Sequence, residues 1–403
     1  MPKQIKDPVH GYIEVPSALV PLLDTPAVQR LHHIRQLGFA YLVYPGANHT
    51  RFEHSLGAMH LASLLCRHLG LPESETLTVC AAGLLHDIGH GPYSHASERL
   101  MQNYGEYAHD NIIPFLKCGR IAEILDENDI CPADVAEIVA GTHPLAPIIH
   151  GDLDVDRMDY LLRDAHYTGV PYGMLDAQRL IHSLTFMQGE LVVNDSGLAA
   201  AESLLIARTL MGPSVYYHHV SRIAEEMFLA AANAHFTEVP ADINRFMQLD
   251  DAAAAVLLLN SPSETSREMM SRIWTRRLFK RAVSADRTLV DAERITRLRP
   301  EEEKRIAEKI AETAGVAPES VILDIPPLRK EMRMQVQVRN RHDLVPFEEI
   351  VPMISMMNAT RQGQWRLGVY TPAEHREVVG TAAREILGLR RATKQHKLTG
   401  IIE

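Results

Sequence analysis

From about residue 17 to residue 270 the apolar positions recur at helical spacing, with short polar turns between runs. Leu77 to Leu85 forms an apolar helical segment that runs straight into His86-Asp87. Upstream, Thr50 and Glu53 have the spacing of a capping box, which starts a helix and places His54 in its first turn. Downstream, Asp152 to Asp164 reads as a third helix. Asp156, Tyr160, Arg163, Asp164 and Tyr167 fall at i, i+4, i+7, i+8 and i+11, so they share one face. Phe186-Met187 and Leu191 to Val193 are short apolar strands about a turn centred on Gly189, and a helix-rich stretch follows from Ala199 to Ala234.

After about residue 275 the pattern changes. Pro300, an acidic first turn at Glu301 to Glu303 and a stop at Gly315 define one helix. Met332, Met334, Val336 and Val338 alternate with polar residues as a half-buried strand does, and Trp365 to Tyr370 reads as another. Thr371-Pro372 is expected to cap a helix reaching Leu387. The fold class expected is therefore mainly α, a helical core with a helical extension over residues 1–270 and a smaller C-terminal α+β domain over 271–403. At 403 residues two domains are the natural reading.

Composition narrows the picture modestly. Apolar content of 46% and charged content of 23% are those of a water-soluble globular chain. A formal net charge of −10 argues against nucleic acid as the main partner, although Arg276 to Arg281 and Arg390 to Lys394 are locally basic. Cys66, Cys80, Cys118 and Cys131 contain no CxxC and are expected to be small buried hydrophobes. No apolar leader is evident at the N-terminus, and the longest apolar run, Ala252 to Leu259, is too short to span a bilayer. A cytoplasmic protein with no membrane partner is expected.

The chemistry gathers where the apolar helix ends. Four ionisable residues lie within ten positions, His86, Asp87, His90 and His95, interleaved with Gly89 and Gly91. Buried, each would need a partner. Imidazole and carboxylate together hold divalent metals, and the glycines allow close approach. His-Asp dipeptides also occur at His109-Asp110 and His342-Asp343, so context is what singles out His86-Asp87.

That context resembles the HD-domain phosphohydrolases, a metal-dependent helical family whose H…HD…D ligand pattern matches His54, His86-Asp87 and Asp156. The blocks Asp7 to Gly11, Asp24 to Pro26, Gln36 to Gly38, Tyr44 to Ala47, Arg51 to Gly57, His86 to His95 and Asp154 to Tyr160 occur in order. Over residues 3–234 they resemble the deoxynucleoside triphosphate triphosphohydrolase branch. The resemblance implies a metal held by His54, His86, Asp87 and Asp156. Mixed imidazole and carboxylate ligation suits Fe, Mn, Zn, Ni or Co, with Mg accompanying the substrate phosphates. It implies catalytic roles for His95, His109 and His90, and triphosphate contacts from Arg51, Arg157 and Arg208. Base and sugar contacts fall to Gln36, Leu37, Tyr160, Asp164 and Tyr216.

Lys3, Asp24 and Gln29 match a regulatory nucleotide site that some members form between subunits. His32, Lys6 and Tyr12 depart from that site's pattern, and Tyr217 departs near the base. Asp24 also reads as a helix N-cap ahead of Pro26, and Asp159 and Arg163, four apart, as a helix salt bridge. The resemblance thus implies a dNTP triphosphohydrolase, a nucleotide activator and a homo-oligomer, dimer or tetramer. The alternatives are an HD-type nucleotidase or phosphodiesterase, and a catalytically silent HD protein that binds nucleotide or nucleic acid.

Overall fold

The computed structural model describes residues 1–104, 109–187, 189–240, 243–328, 337–340 and 343–389. These fall into two compact units, one drawn from Met1–Ser221, Phe236–Asn260 and Arg333–Pro352, the other from Arg222–His235, Ser261–Met332 and Met353–Glu403. The chain is 61% helical with small sheets, a helical core plus a small α+β region, as the periodicity predicts.

In the first unit, the helix Arg51–Leu69 begins with the expected capping box and ends at Gly70, whose φ of +68° is left-handed. Thr50 N–H donates to Glu53 Oε2 at 2.6 Å, which fixes the entry of the chain and the position of His54 one turn later. Against this helix pack Glu73–Leu85 and Val155–Thr168. The packing needs a glycine. A Cβ on Gly57 would lie 1.8 Å from Asp159 Oδ1 and 2.5 Å from Arg163 Nη2. Val79 to Leu85 are all buried, so the Glu73–Leu85 helix delivers His86-Asp87 from inside the core. Asp154 caps Val155–Thr168 by accepting from Arg157 N–H at 2.8 Å.

Leu184–Met187 and Glu190–Asn194 form the expected hairpin, with Gly189 at φ +86°. They continue, through a parallel pairing with Gln337–Asn340, into a four-stranded sheet that ends at Asp343–Pro346. A second hairpin, Lys3–Asp7 with Gly11–Val15, was not among the elements expected from the sequence. Its turn is closed by Asp7, whose Oδ1 accepts from Val9 and His10 N–H.

The second unit has a three-stranded sheet in which Leu367–Thr371 lies between Lys280–Ala285 and Ile322–Asp324, antiparallel to both. All five residues of that central strand are buried, so it reads as a continuous rather than an alternating apolar run. Pro300–Ala314 and Arg376–Ile386 pack with it, joining Ile310, Ala311, Val379 and Ala383 to one apolar core.

Three expectations need correction. The last helix is Arg376–Ile386, preceded by a 3-10 turn over Ala373–His375, because Thr371 completes the central strand and is fully buried there. Asp24 does not cap the helix Pro26–Arg30. Thr25 occupies the N-cap position, while Asp24 ends the preceding turn of helix Val20–Leu23. Cys66 and Cys80 are buried, but Cys118 and Cys131 are exposed because each sits at a helix N-cap on the surface. The alternating residues 332–336 and the basic cluster 390–394 lie outside the described residues.

Candidate metal centre

Two helix ends and one helix face bring four candidate ligands together. His54 Nε2 and His86 Nε2 lie 3.2 Å apart, with the rings nearly perpendicular. Asp156 Oδ1 is 2.9 Å from His54 Nε2 and 3.7 Å from His86 Nε2. Asp87 offers Oδ1 at 3.4 Å from His86 and Oδ2 at 3.9 Å from His54.

The other ring nitrogens show what this geometry is suited to hold. His86 Nδ1 faces the Gly83 carbonyl at 2.8 Å, so it must carry the hydrogen. His54 Nδ1 faces Asp159 Oδ2 at 2.7 Å and donates likewise. When neither ring carries a second proton, both Nε2 atoms turn lone pairs toward each other and toward two carboxylates. Four electron-rich atoms converging this closely repel unless a cation sits among them, and fixing Nδ1–H in this way is the usual support of metal-bound histidine. Burial lowers the His54 pKa, yet hydrogen bonds to Asp156 and Asp159 push it up to about 10. The pocket therefore draws positive charge strongly. These residues fit a divalent metal ion.

Asp159, read from sequence only as a salt-bridge partner, does more. Arg163 donates to both its oxygens, at 2.9 and 2.8 Å, and His10 Nε2 lies 2.6 Å from Oδ1. Arg163 also donates to Asp7 Oδ2 at 2.8 Å. The salt bridge is present, fully buried, and forms the support on which His54 rests. Its sequence signal was the position three residues past Asp156 on the same helix.

Arg51 joins this cluster to a second one. Its Nη1 donates to Asp87 Oδ2 at 2.7 Å and its Nε to Ser94 Oγ at 2.7 Å, while the buried Nη2 has no protein partner. Burial works against the Asp87 charge, but Arg51 beside it, then His86 and His90, hold its carboxyl well below the usual range.

His90, His95 and His109 converge on Glu98, which sequence reasoning passed over. Glu98 Oε1 is 2.8 Å from His95 Nδ1, 3.5 Å from His109 Nδ1 and 3.7 Å from His90 Nδ1. His90 and His109 stack with centroids 4.2 Å apart. The stack forms because Gly89 lets the chain at His109 pass, since a Cβ there would lie 2.1 Å from the His109 carbonyl oxygen. The surrounding protein disfavours a charged His95, but Glu98 outweighs this and raises its pKa. For His90 and His109 desolvation dominates, and both are held neutral, below the usual histidine value. His95 begins the helix His95–Tyr104, and Glu98 stands one turn on, so an i, i+3 pair was the available signal.

The remaining predicted contacts lie along Val155–Thr168. Asp164 is buried, accepting from Tyr216 Oη at 2.8 Å and lying 2.8 Å from His49 Nε2. Tyr160 meets Tyr216 edge-on at 6.1 Å, and the Arg208 charge acts on its phenol. Gln36 is buried with its Oε1 unpartnered, and Leu37 beside it is half-buried. Arg157 turns its guanidinium onto Asp154 of its own cap. Lys3, Asp24 and Gln29 are exposed, and Gln29 donates to the Leu23 carbonyl. The structure does not gather these three into the metal centre.

A helical core that converges two histidines and two aspartates on one point defines a class, the HD domain. The HD-domain family model matches residues 51–164, and the model described as HD associated region matches 175–398. The chain belongs to the HD-domain phosphohydrolase family. It is 31% identical to protein MJ1154 of Methanocaldococcus jannaschii, over 92% of this chain and 80% of that one. It is 30% identical to deoxynucleoside triphosphate triphosphohydrolase SAMHD1 of Gallus gallus, over 69% of this chain and 55% of that one, so it spans about half the length of that relative. Among solved structures, a phosphohydrolase from Bacteroides thetaiotaomicron superposes with a TM-score of 0.72 at 27% identity, covering 92% of this chain and all of that one. Among the described residues no helix is long and apolar enough to cross a membrane.

Proposed function

We propose that this protein is a metal-dependent deoxynucleoside triphosphate triphosphohydrolase, converting a dNTP and water to deoxynucleoside and tripolyphosphate. The observation that carries the reading is Arg51. It is a buried guanidinium bonded to the metal ligand Asp87, with one N–H group left without a protein partner. Such a donor is suited to a phosphoryl oxygen held next to a metal. The similarity to SAMHD1 supports the same substrate class.

When bound, a divalent ion supplies Lewis acidity and lowers the pKa of water. The chain's own groups supply the rest. Arg51 Nη2 donates to the α-phosphate, while Arg157 and Arg208 neutralise the distal phosphates. Water adds to the α-phosphorus as the bond to the 5′-oxygen breaks, and His95, whose pKa Glu98 raises, gives its proton to that oxygen. The proton that the water loses passes to solvent, from which His95 is recharged. Asp164 and Gln36 accept from the sugar hydroxyl, Leu37 lines the base side, and Tyr160 with Tyr216 closes the 2′ position. Lys3, Asp24 and Gln29 are proposed as an exposed patch for an activating nucleotide at the contact between subunits of a homo-oligomer. The active protein is proposed to work in the cytoplasm.

Chromatography of products from the four dNTPs, the matching NTPs and the monophosphates, with and without GTP, tests this reading. Tripolyphosphate from dNTPs well above NTPs is expected. Orthophosphate from monophosphates would assign a nucleotidase instead, and equal hydrolysis of GTP and dGTP would refute the sugar pocket.

A further inference from the structure

The segment that carries the proton-transfer histidines has an unusual backbone. Tyr93 and Ser94, adjacent and neither a glycine, both lie in the left-handed region, with φ of +57° and +54°. Side-chain-bearing residues rarely adopt that conformation, and two in succession persist only where the surroundings fix them. The Tyr93 ring is buried and stacks on Phe39 at 4.4 Å. Ser94 Oγ donates to the Arg35 carbonyl at 2.7 Å and accepts from Arg51 Nε.

The third restraint comes from far along the chain. Asp251, first residue of the helix Asp251–Leu259, is buried and accepts the Tyr93 N–H on Oδ1 at 2.6 Å, 158 positions away in sequence. Its Oδ2 accepts the Arg35 N–H at 3.1 Å and lies 3.5 Å from Arg35 Nη1. One carboxylate thus ties the turn before His95 to the residue before Gln36-Leu37. Both N–H groups would be stranded in the interior without it. Burial pushes the Asp251 carboxyl up to about 6, with Asp250 adding to the rise, while the two backbone N–H groups and the Arg35 guanidinium oppose it.

We propose that Asp251 is a positioning residue for the reaction. Its carboxylate holds the left-handed Tyr93–Ser94 turn against Arg35, and so aims the His95 imidazole and keeps Ser94 Oγ on Arg51. It need not touch substrate. The proposal rests on the role given to His95 above, and the experiment separates the two. Asp251→Asn is nearly isosteric, keeps one acceptor oxygen and sets an NH₂ group against the other N–H. Asp251→Ala removes both acceptors.

The readouts are amide exchange at Tyr93, the ring resonances of His95 (assigned with His95→Gln), bound metal by elemental analysis, and kcat with KM. In Asp251→Asn the Tyr93 amide is expected to exchange at least about tenfold faster while the Arg51–Leu69 and Glu73–Leu85 helices keep their protection. The His95 resonance moves, metal content and KM hold, and kcat falls by about tenfold or more. Asp251→Ala goes further in each respect, and if it does not fold the Asn variant decides alone. Wild-type Tyr93 exchange, an unmoved His95 resonance, or an unchanged kcat in Asp251→Asn overturns the proposal. Should the wild type hydrolyse no nucleotide, the functional reading fails, and the exchange and resonance measurements still decide the role of Asp251 in holding the turn.

Discussion

The two histidine clusters of the HD core share Asp87 and Arg51 yet are built differently. At the candidate metal centre the His54 side chain is only 1% exposed, and both its own and the His86 Nδ1–H are committed to acceptors inside regular helices. In the other cluster the His95 side chain is 70% exposed, and three imidazoles come within 3.7 Å of one carboxylate, Glu98, with His90 also 3.3 Å from Asp87. A metal site gains from ligands that cannot rotate. A proton-transfer site gains from a group that meets substrate and whose pKa a single neighbour can tune. The comparison teaches that buried helix faces suit the first task and a loop-to-helix junction the second.

The most severe way to break the buried cluster is to remove a ligand. His86→Ala or Asp87→Ala is expected to abolish bound metal and hydrolysis while circular dichroism shows the helices retained. Full metal occupancy in either variant would contradict the assignment. Asp159→Asn leaves the ligands in place and tests the support behind His54. Metal affinity is expected to fall by about 10–100-fold, and an unchanged affinity by competition with a chelator would mean that Asp159 only pairs with Arg163.

The exposed cluster is sharpened by Glu98→Gln. The carboxylate raises the His95 pKa, so without it His95 gives up its proton at lower pH. If His95 is the acid, the alkaline limb of the kcat profile moves to lower pH and kcat falls by about tenfold or more. An unmoved limb would remove His95 from that role.

The smallest effect lies behind the buried cluster. Burial, then His10 and Arg67, depress the His60 pKa to about 4, with Asp159 and Asp7 opposing. The unfolded chain takes up that proton near 6.5, so His60 subtracts stability as pH falls from about 6.5 toward 4. His60→Gln is expected to lose less stability than wild type between about pH 7 and pH 5 in urea unfolding. An equal loss would place the acid sensitivity elsewhere.

How much of this was legible depends on distance along the chain. The Thr50–Glu53 box and the buried run before His86-Asp87 act within a few residues, so residue order reveals them, whereas the spacing starts the third helix at Asp152 and its cap, Asp154, came only with the structure. The Asp156 to Tyr167 face was legible as a face, though not which of its members would touch. Glu98 and Asp159 stood at helical spacing from residues already singled out, and were missed because a local salt bridge or a solvated acid reads the same way in sequence. The opening hairpin escaped because its first strand, Lys3–Asp7, is mostly polar and the alternation of Ile13 and Val15 in the second runs over only five residues.

What the sequence by itself determined is the mainly helical class, the Thr50–Glu53 capping box and the residue types gathered where the Glu73–Leu85 helix ends, since these follow from spacing and side-chain chemistry over one or two turns. Only the tertiary structure decided that Asp159 holds His54 beside Arg163 and Asp7, that Glu98 serves three histidines, and that Asp251 reaches Tyr93 across 158 positions. The reason is physical. A buried donor or acceptor needs a partner within hydrogen-bond reach wherever in the chain that partner comes from, and the pattern of apolar positions fixes which faces meet without fixing which polar atoms face each other once they do.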